Sequence, residues 1–196
     1  MDACPHCGQA QAPKVARRIV LPGDRRADEI ALEILACRCG FKAIAVIEQP
    51  RRESLRDAAP ARVGYRLPAA AVDLIAFLIA RCPDPAEEYC DCKAHAALNR
   101  RDLRNQWNLL HSFAPFPGFA LDGDAPKAQD DFAYAPLAWQ RNGIGHIAAV
   151  EGREWRLYPH GGAFELAIGD AIELELDALP PFWQIEKAEP GDGGPV

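Results

Sequence analysis

Cys4-Pro5-His6-Cys7-Gly8 and Cys37-Arg38-Cys39-Gly40 are two short cysteine pairs, each followed by a glycine. Two cysteines on one tight turn can both reach a single metal ion, and a glycine after the second cysteine lets the backbone turn back with positive φ. A structural zinc ion takes four such ligands in a tetrahedron, at Zn–S distances of about 2.3 Å. The spacing therefore predicts one zinc site, built from Cys4, Cys7, Cys37 and Cys39.

In these two turns the chain resembles a zinc ribbon, in which a hairpin brings two such turns together. The resemblance covers residues 4–48 and implies a three-stranded sheet with zinc at one end. The second turn departs from the usual pattern, because it is C-x-C rather than C-x-x-C. The periodicity of residues 29–36 fits a strand or a helix, and the resemblance favours a strand. Zinc ribbons serve many unrelated functions, so the resemblance implies no activity.

A redox site is the alternative interpretation of the first pair, because some thioredoxin-fold oxidoreductases have the same letters, C-P-H-C, at their active site. That site needs a strand directly before it and a helix that starts at it, whereas only Met1, Asp2 and Ala3 precede Cys4. Zinc binding is therefore the prediction.

A second group of cysteines follows a predicted helix. Pro68 opens this helix, which runs from Ala69 to Arg81, and its nearly all-round apolar surface predicts burial. The pattern C-x7-C-x-C-x2-H comes next, and its histidine lies about one helical turn after the last cysteine. Three cysteines and one histidine are an ordinary zinc set, and two sites would use all seven cysteines of the chain. We predict a second zinc site at Cys82, Cys90, Cys92 and His95, with free thiols or an iron–sulfur cluster as the alternatives.

The net charge of −6 is unevenly distributed along the chain. Residues 1–112 contain 17 Lys and Arg against 14 Asp and Glu, whereas residues 113–196 contain 5 against 14. This change indicates a domain border. We predict an α+β protein with four segments: a zinc ribbon at 1–48, a linker and helices with the second cluster at 49–113, a small acidic antiparallel β domain at 114–187 and a disordered tail at 188–196.

The acidic half shows the pattern of β-hairpins. Glu151-Gly152 and Gly169-Asp170 are turn dipeptides, and each is flanked by two strand-like runs, at 145–150, 153–158, 163–168 and 171–176. In the last run Ile172, Leu174 and Leu176 alternate with acidic residues, which predicts one buried face.

Motifs and composition also restrict the function. No apolar run reaches the roughly 18 residues of a membrane span, and no signal peptide is recognised, so metal-bound thiolates in a reducing cytoplasm are expected. No motif places a general acid–base pair or a nucleophile. We therefore predict structural zinc in an adaptor, regulatory or other protein-interaction module with a protein partner. Nucleic-acid binding through the ribbon is the alternative, which the acidic charge disfavours, and a metal-dependent enzyme is a third possibility.

Overall fold

The computed structural model describes residues 3–9, 13–23, 27–50, 61–99, 118–120, 132–169 and 173–186. The chain divides into two compact units, Met1–Ala133 and Tyr134–Val196. The fold is mixed α+β, which confirms the predicted class. The predicted border between residues 113 and 114, most of the predicted linker and the predicted tail from residue 188 lie outside the described residues.

Unit 1 contains a five-stranded antiparallel sheet whose strands neighbour one another in sequence order: β1 (Lys14–Pro22), β2 (Ala27–Ala36), β3 (Lys42–Pro50), β4 (Ala61–Tyr65) and β5 (Gly118–Ala120). The strand predicted at residues 29–36 is confirmed within β2. Two further strands extend the predicted three-stranded sheet. β5 was not predicted as a strand of this sheet, because a strand of only three residues shows no alternation of its own.

One face of β1, β2 and β3 forms the core of unit 1. Side chains alternate between the two faces of a strand, and cross-strand partners share a face. The fully buried residues of this face are Ile19, Leu21, Ile30, Leu32, Ile34 and Ile44. Lys42 lies on the same face as Ile44 and forms an ion pair with Asp73 of helix α1 (Ala69–Ala80). Helix α1 therefore covers this face, where it contacts β1 and β3.

The two described helices agree with the predicted positions. Helix α1 begins after Pro68 and is buried from Ala71 to Ile79, as its all-round apolar surface predicted. A second helix, α2 (Lys93–Asn99), lies in the segment 49–113, where helices were predicted, and residues 100–113 of that segment lie outside the described residues. Neither helix has the length and apolar character of a membrane span.

Unit 2 is a sheet of six strands: β6 (Leu137–Asn142), β7 (Gly145–Val150), β8 (Arg153–His160), β9 (Ala163–Ile168), β10 (Glu173–Leu176) and β11 (Trp183–Ile185). In space the order is β10-β9-β8-β7-β6-β11. The two predicted hairpin strands on each side of Glu151-Gly152 are confirmed, and both turn residues have the positive φ that such a turn requires (47° and 79°).

The strands at the edges of the unit 2 sheet differ from those that the sequence predicts. The last predicted strand is found at Glu173–Leu176, with the side chains of Leu174 and Leu176 buried. β6 and β11 were not predicted, and β11 pairs with β6 in parallel, whereas the domain was predicted to be antiparallel. A parallel pair joins segments that are distant in sequence, so the local alternation of three residues carries no sign of it.

Candidate metal centres

The first cluster consists of four cysteine sulfurs that lie within 4.8 Å of one another: Cys4, Cys7, Cys37 and Cys39. The Sγ atoms of Cys4 and Cys39 are 3.8 Å apart, and those of Cys7 and Cys37 are 4.0 Å apart. Four sulfurs placed tetrahedrally at about 2.3 Å from zinc are separated by about 3.8 Å. The structure therefore brings the four predicted residues together, and these two sulfur pairs lie close to the separation expected around zinc.

Two tight turns hold this cluster at one end of the unit 1 sheet. In each turn the first cysteine donates its N–H to the carbonyl of the residue after the glycine, and the glycine N–H donates back to the cysteine carbonyl. All four N···O distances are 2.9 Å, in the turns formed by Cys4, Gly8 and Gln9 and by Cys37, Gly40 and Phe41. The second turn thus makes the same pair of hydrogen bonds with one residue fewer. This shared pattern explains how C-x-C takes the place of C-x-x-C.

The thiols of the first cluster ionise unevenly. Burial raises the pKa of Cys4, but the backbone N–H groups of Cys7 and His6 donate to its sulfur, and the net effect lowers the pKa to about 7. Burial and the neighbouring sulfurs raise the pKa of Cys37 to about 12. One cysteine therefore ionises readily, and its negative charge opposes the ionisation of the next. A cation among the sulfurs would remove this opposition, because its charge favours the thiolate form of every ligand.

The second cluster consists of three sulfurs and one imidazole nitrogen, also within 4.8 Å of one another: Cys82, Cys90, Cys92 and His95. The Sγ atom of Cys82 is 3.8 Å from that of Cys90 and 3.6 Å from that of Cys92. Nδ1 of His95 is 3.2 Å from the sulfur of Cys82 and 3.4 Å from that of Cys92. Tetrahedral zinc separates two sulfurs by about 3.8 Å and a sulfur from a nitrogen by about 3.5 Å. The predicted second set is therefore also assembled.

The loop that carries this cluster is ordered by its own carboxylates. Cys82 lies two residues after the end of helix α1, and the next two cysteines of the cluster come after an exposed acidic turn. Oδ1 of Asp84 accepts the N–H of Ala86, and Oε1 of Glu87 accepts the N–H of Tyr89, each at 3.3 Å. The Asp84 bond is of the kind by which short side chains stabilise turns, and the Glu87 bond repeats it with a longer side chain.

His95 is 4% exposed and uses both of its ring nitrogens. Nε2 lies 2.9 Å from the backbone carbonyl of Val20 in β1. Because a carbonyl only accepts, the neutral ring carries its hydrogen on Nε2 and directs the lone pair of Nδ1 towards the sulfurs. The backbone N–H of His95 also donates to the sulfur of Cys92 at 3.4 Å. A metal-binding histidine needs this tautomer and this second hydrogen bond.

Comparison of the chain with family models, with curated proteins and with solved structures finds no match. The eight predicted residues lie in the two groups that their spacing indicated. In the part of the chain that the structure describes, no further group of three or more His, Cys, Asp or Glu side chains meets the same distances. The role of the eight residues as zinc ligands stays a prediction.

The second cluster shares the uneven ionisation of the first. Burial raises the pKa of Cys92, but the hydrogen bond from the backbone N–H of His95, together with the neighbouring thiols of Cys82 and Cys90, outweighs it and lowers the pKa to about 7. Burial and the adjacent sulfur of Cys92 raise the pKa of Cys82 to about 12. In this cluster too, a cation would bring all the thiols into the thiolate form.

The two clusters lie far apart along the sheet. His95 contacts Val20, which pairs with Ala31 of β2. Cys37 follows Ala31 by six residues, all but the last within β2. At a rise of about 3.3 Å per residue, this places the clusters about 20 Å apart. Each cluster would therefore hold its own ion, and the two would not form a binuclear centre.

Proposed function

We propose that the chain is a zinc-binding protein in which both ions are structural. The observation that carries this proposal is the complete ligand set of each cluster: four thiols in the first, and three thiols with one imidazole in the second. A catalytic zinc site keeps one position open for water or substrate, whereas a structural site is closed by four protein ligands. Zinc bound in this way supplies folding free energy.

A ribbon-like arrangement of the first cluster is part of the proposal. Its two turns match in their hydrogen bonds, and the second turn joins β2 to β3. The first turn precedes β1, and its sulfurs lie against those of the second turn. One ion would therefore tie the start of β1 to the tip of the hairpin formed by β2 and β3. The chain departs from a simple ribbon because β4 and β5 continue the same sheet.

Metal content is the direct test of the two ions. We expect two zinc ions per chain in untagged wild-type protein, and one in each of the single variants Cys7→Ser and Cys90→Ser. The variants are matched, because each removes a half-buried ligand from one cluster and leaves the other cluster intact. Elemental mass spectrometry of purified protein measures this content.

Other metal contents would contradict parts of the proposal. One zinc ion in the wild type and in Cys90→Ser, with none in Cys7→Ser, would restrict metal binding to the first cluster and leave Cys82, Cys90 and Cys92 as free thiols. Iron in place of zinc would support the iron–sulfur alternative. No metal in any sample would sink the proposal.

A role in protein interaction is the function that we propose for this zinc-stabilised chain, in a reducing cytoplasm. Residues 113–196 carry a large excess of acidic side chains, and in unit 2 Glu151, Glu175 and Glu186 are exposed. A surface of one charge favours and steers a partner of the opposite charge. We therefore propose a basic protein partner for unit 2.

Nucleic-acid binding at the first cluster is a second candidate, favoured by one group of contacts. The His6 ring stacks on Phe41 at a centroid distance of 6.2 Å, and the Arg66 guanidinium lies 5.7 Å from the centre of the Phe41 ring. Arg66 also donates to the carbonyl of Pro5 at 3.2 Å, and Arg38 is exposed on the second turn. Aromatic rings beside arginines are typical of surfaces that hold single-stranded nucleic acid.

One capture experiment separates these two candidates. The zinc-loaded chain is the bait in cell extract, with and without nuclease treatment, and a Glu151→Lys/Glu175→Lys double variant is the control. We expect a basic protein that the wild type retains after nuclease treatment and that the double variant loses. Retention of nucleic acid that falls steeply with salt, and is equal in both baits, would favour the second candidate instead.

A further inference from the structure

The second cluster lies against the outer edge of the unit 1 sheet. β1 is an edge strand, with β2 as its neighbour on one side. Val20 of this strand uses both of its outward backbone groups: its N–H donates to the carbonyl of Pro85 at 2.8 Å, and its carbonyl accepts Nε2–H of His95 at 2.9 Å. Pro85 lies in the loop between two ligands of the cluster, and His95 is itself a ligand. Both bonds therefore come from the segment that the ion would close.

The edge of β1 has other, local protection on either side of Val20. The strand is irregular between Val15 and Arg17, and the Arg17 guanidinium donates to the carbonyl of Ala16 at 2.8 Å. Pro22 ends the strand and has no N–H to offer. Bulges, prolines and charged side chains are devices by which edge strands avoid pairing with other chains. At Val20 the second cluster supplies this protection.

We propose that the second cluster is a metal-dependent clamp on the edge of β1, and that His95 is its positioning residue. This inference rests on the proposed zinc binding at the same site. A metal ion on Nδ1 fixes the orientation of the imidazole, and that orientation directs Nε2–H at the carbonyl of Val20. The same ion ties Cys82 to Cys90 and so holds the intervening loop, with Pro85, against the N–H of Val20.

Loss of the ion would open the clamp at both points. The carboxylate bonds of Asp84 and Glu87 join the loop only to itself, so they do not hold it against β1. A ring without a metal bond can rotate away from Val20, and the loop can then separate from the strand. The state of the second site would thus decide whether this part of the sheet edge is closed or available for pairing.

Hydrogen exchange of backbone amides tests the clamp. The samples are the full-length wild type and the variants Cys90→Ser and Cys7→Ser, each with its metal content measured. We expect the Val20 amide to exchange about tenfold faster or more in Cys90→Ser than in the wild type, because it loses its acceptor and its cover. In Cys7→Ser the Val20 amide should keep its protection. The amide of Ala45, in the interior strand β3, reports whether unit 1 stays folded.

The outcomes separate the clamp from the zinc proposal. Two ions in the wild type with unchanged Val20 exchange in Cys90→Ser would overturn the clamp alone. Equal acceleration at Val20 and Ala45 would also overturn it, because the ion would then hold the whole unit rather than the edge. A wild type with one ion that Cys90→Ser keeps and Cys7→Ser loses would remove the zinc proposal for the second cluster, and the clamp with it. Stepwise chelation of the wild type repeats the comparison without a substitution.

Discussion

Replacement of Cys4 by serine is expected to abolish binding of the first ion and to lower the melting temperature of unit 1 by more than about 10 °C. Cys4 is 1% exposed, and its sulfur lies 3.8 Å from that of Cys39 on the opposite turn. Zinc contributes on the order of 10 kcal/mol to the folding of zinc-finger peptides, and each kcal/mol shifts the melting temperature of a small domain by about 4–8 °C. Even partial loss of this contribution is therefore a large effect.

Thermal unfolding followed by circular dichroism, with and without chelator, measures the shift. In the wild type, chelation should lower the melting temperature, and Cys4→Ser should begin from a lower value and respond less. Ala3→Ser is the matched control, since it adds a hydroxyl beside the same turn but leaves every sulfur in place. A melting temperature of Cys4→Ser within about 2 °C of the wild type would show that the first cluster contributes little to stability.

Replacement of Asp73 by alanine is expected to destabilise unit 1 by about 3–5 kcal/mol. The Asp73 side chain is 0% exposed and that of Lys42 is 11% exposed, so their ion pair is almost wholly removed from water. The Lys42 ammonium also lies 4.7 Å from the centre of the Phe132 ring. Removing the carboxylate leaves a buried cation beside an aromatic ring, and burial of an uncompensated charge is costly.

Chemical denaturation of matched variants tests this expectation. The double variant Lys42→Met/Asp73→Leu removes both charges, and its loss of stability should be much smaller than that of Asp73→Ala. Glu154→Ala breaks the ion pair with Arg156 in unit 2, whose side chains are 48% and 45% exposed, and should cost less than about 1 kcal/mol. Equal losses in Asp73→Ala and Glu154→Ala would contradict the argument from burial.

Much of the fold could be predicted because its signals are local. The two cysteine turns, the buried helix after Pro68 and the hairpin at Glu151-Gly152 depend on residues that are close in sequence, and their geometry follows from spacing, proline and positive φ. The alternation in residues 173–176 likewise predicted which side chains are buried. β5 and β11 escaped prediction because three residues are too few for a period, and their pairing depends on distant partners.

The candidate sites likewise have features that local sequence predicts and features that depend on distant residues. Spacing was enough to predict which eight residues group into two clusters, because each cluster is built from short motifs whose spacing lets the side chains point at a common centre. Three features could not be predicted from the motifs. They are the tautomer of His95, the attachment of the second cluster to Val20 and the partner of Asp73. These features join residues that are 75 and 31 positions apart in sequence. Such contacts form only when the sheet and helix α1 pack together, because it is burial that makes an unpaired carbonyl or carboxylate costly enough to select one partner.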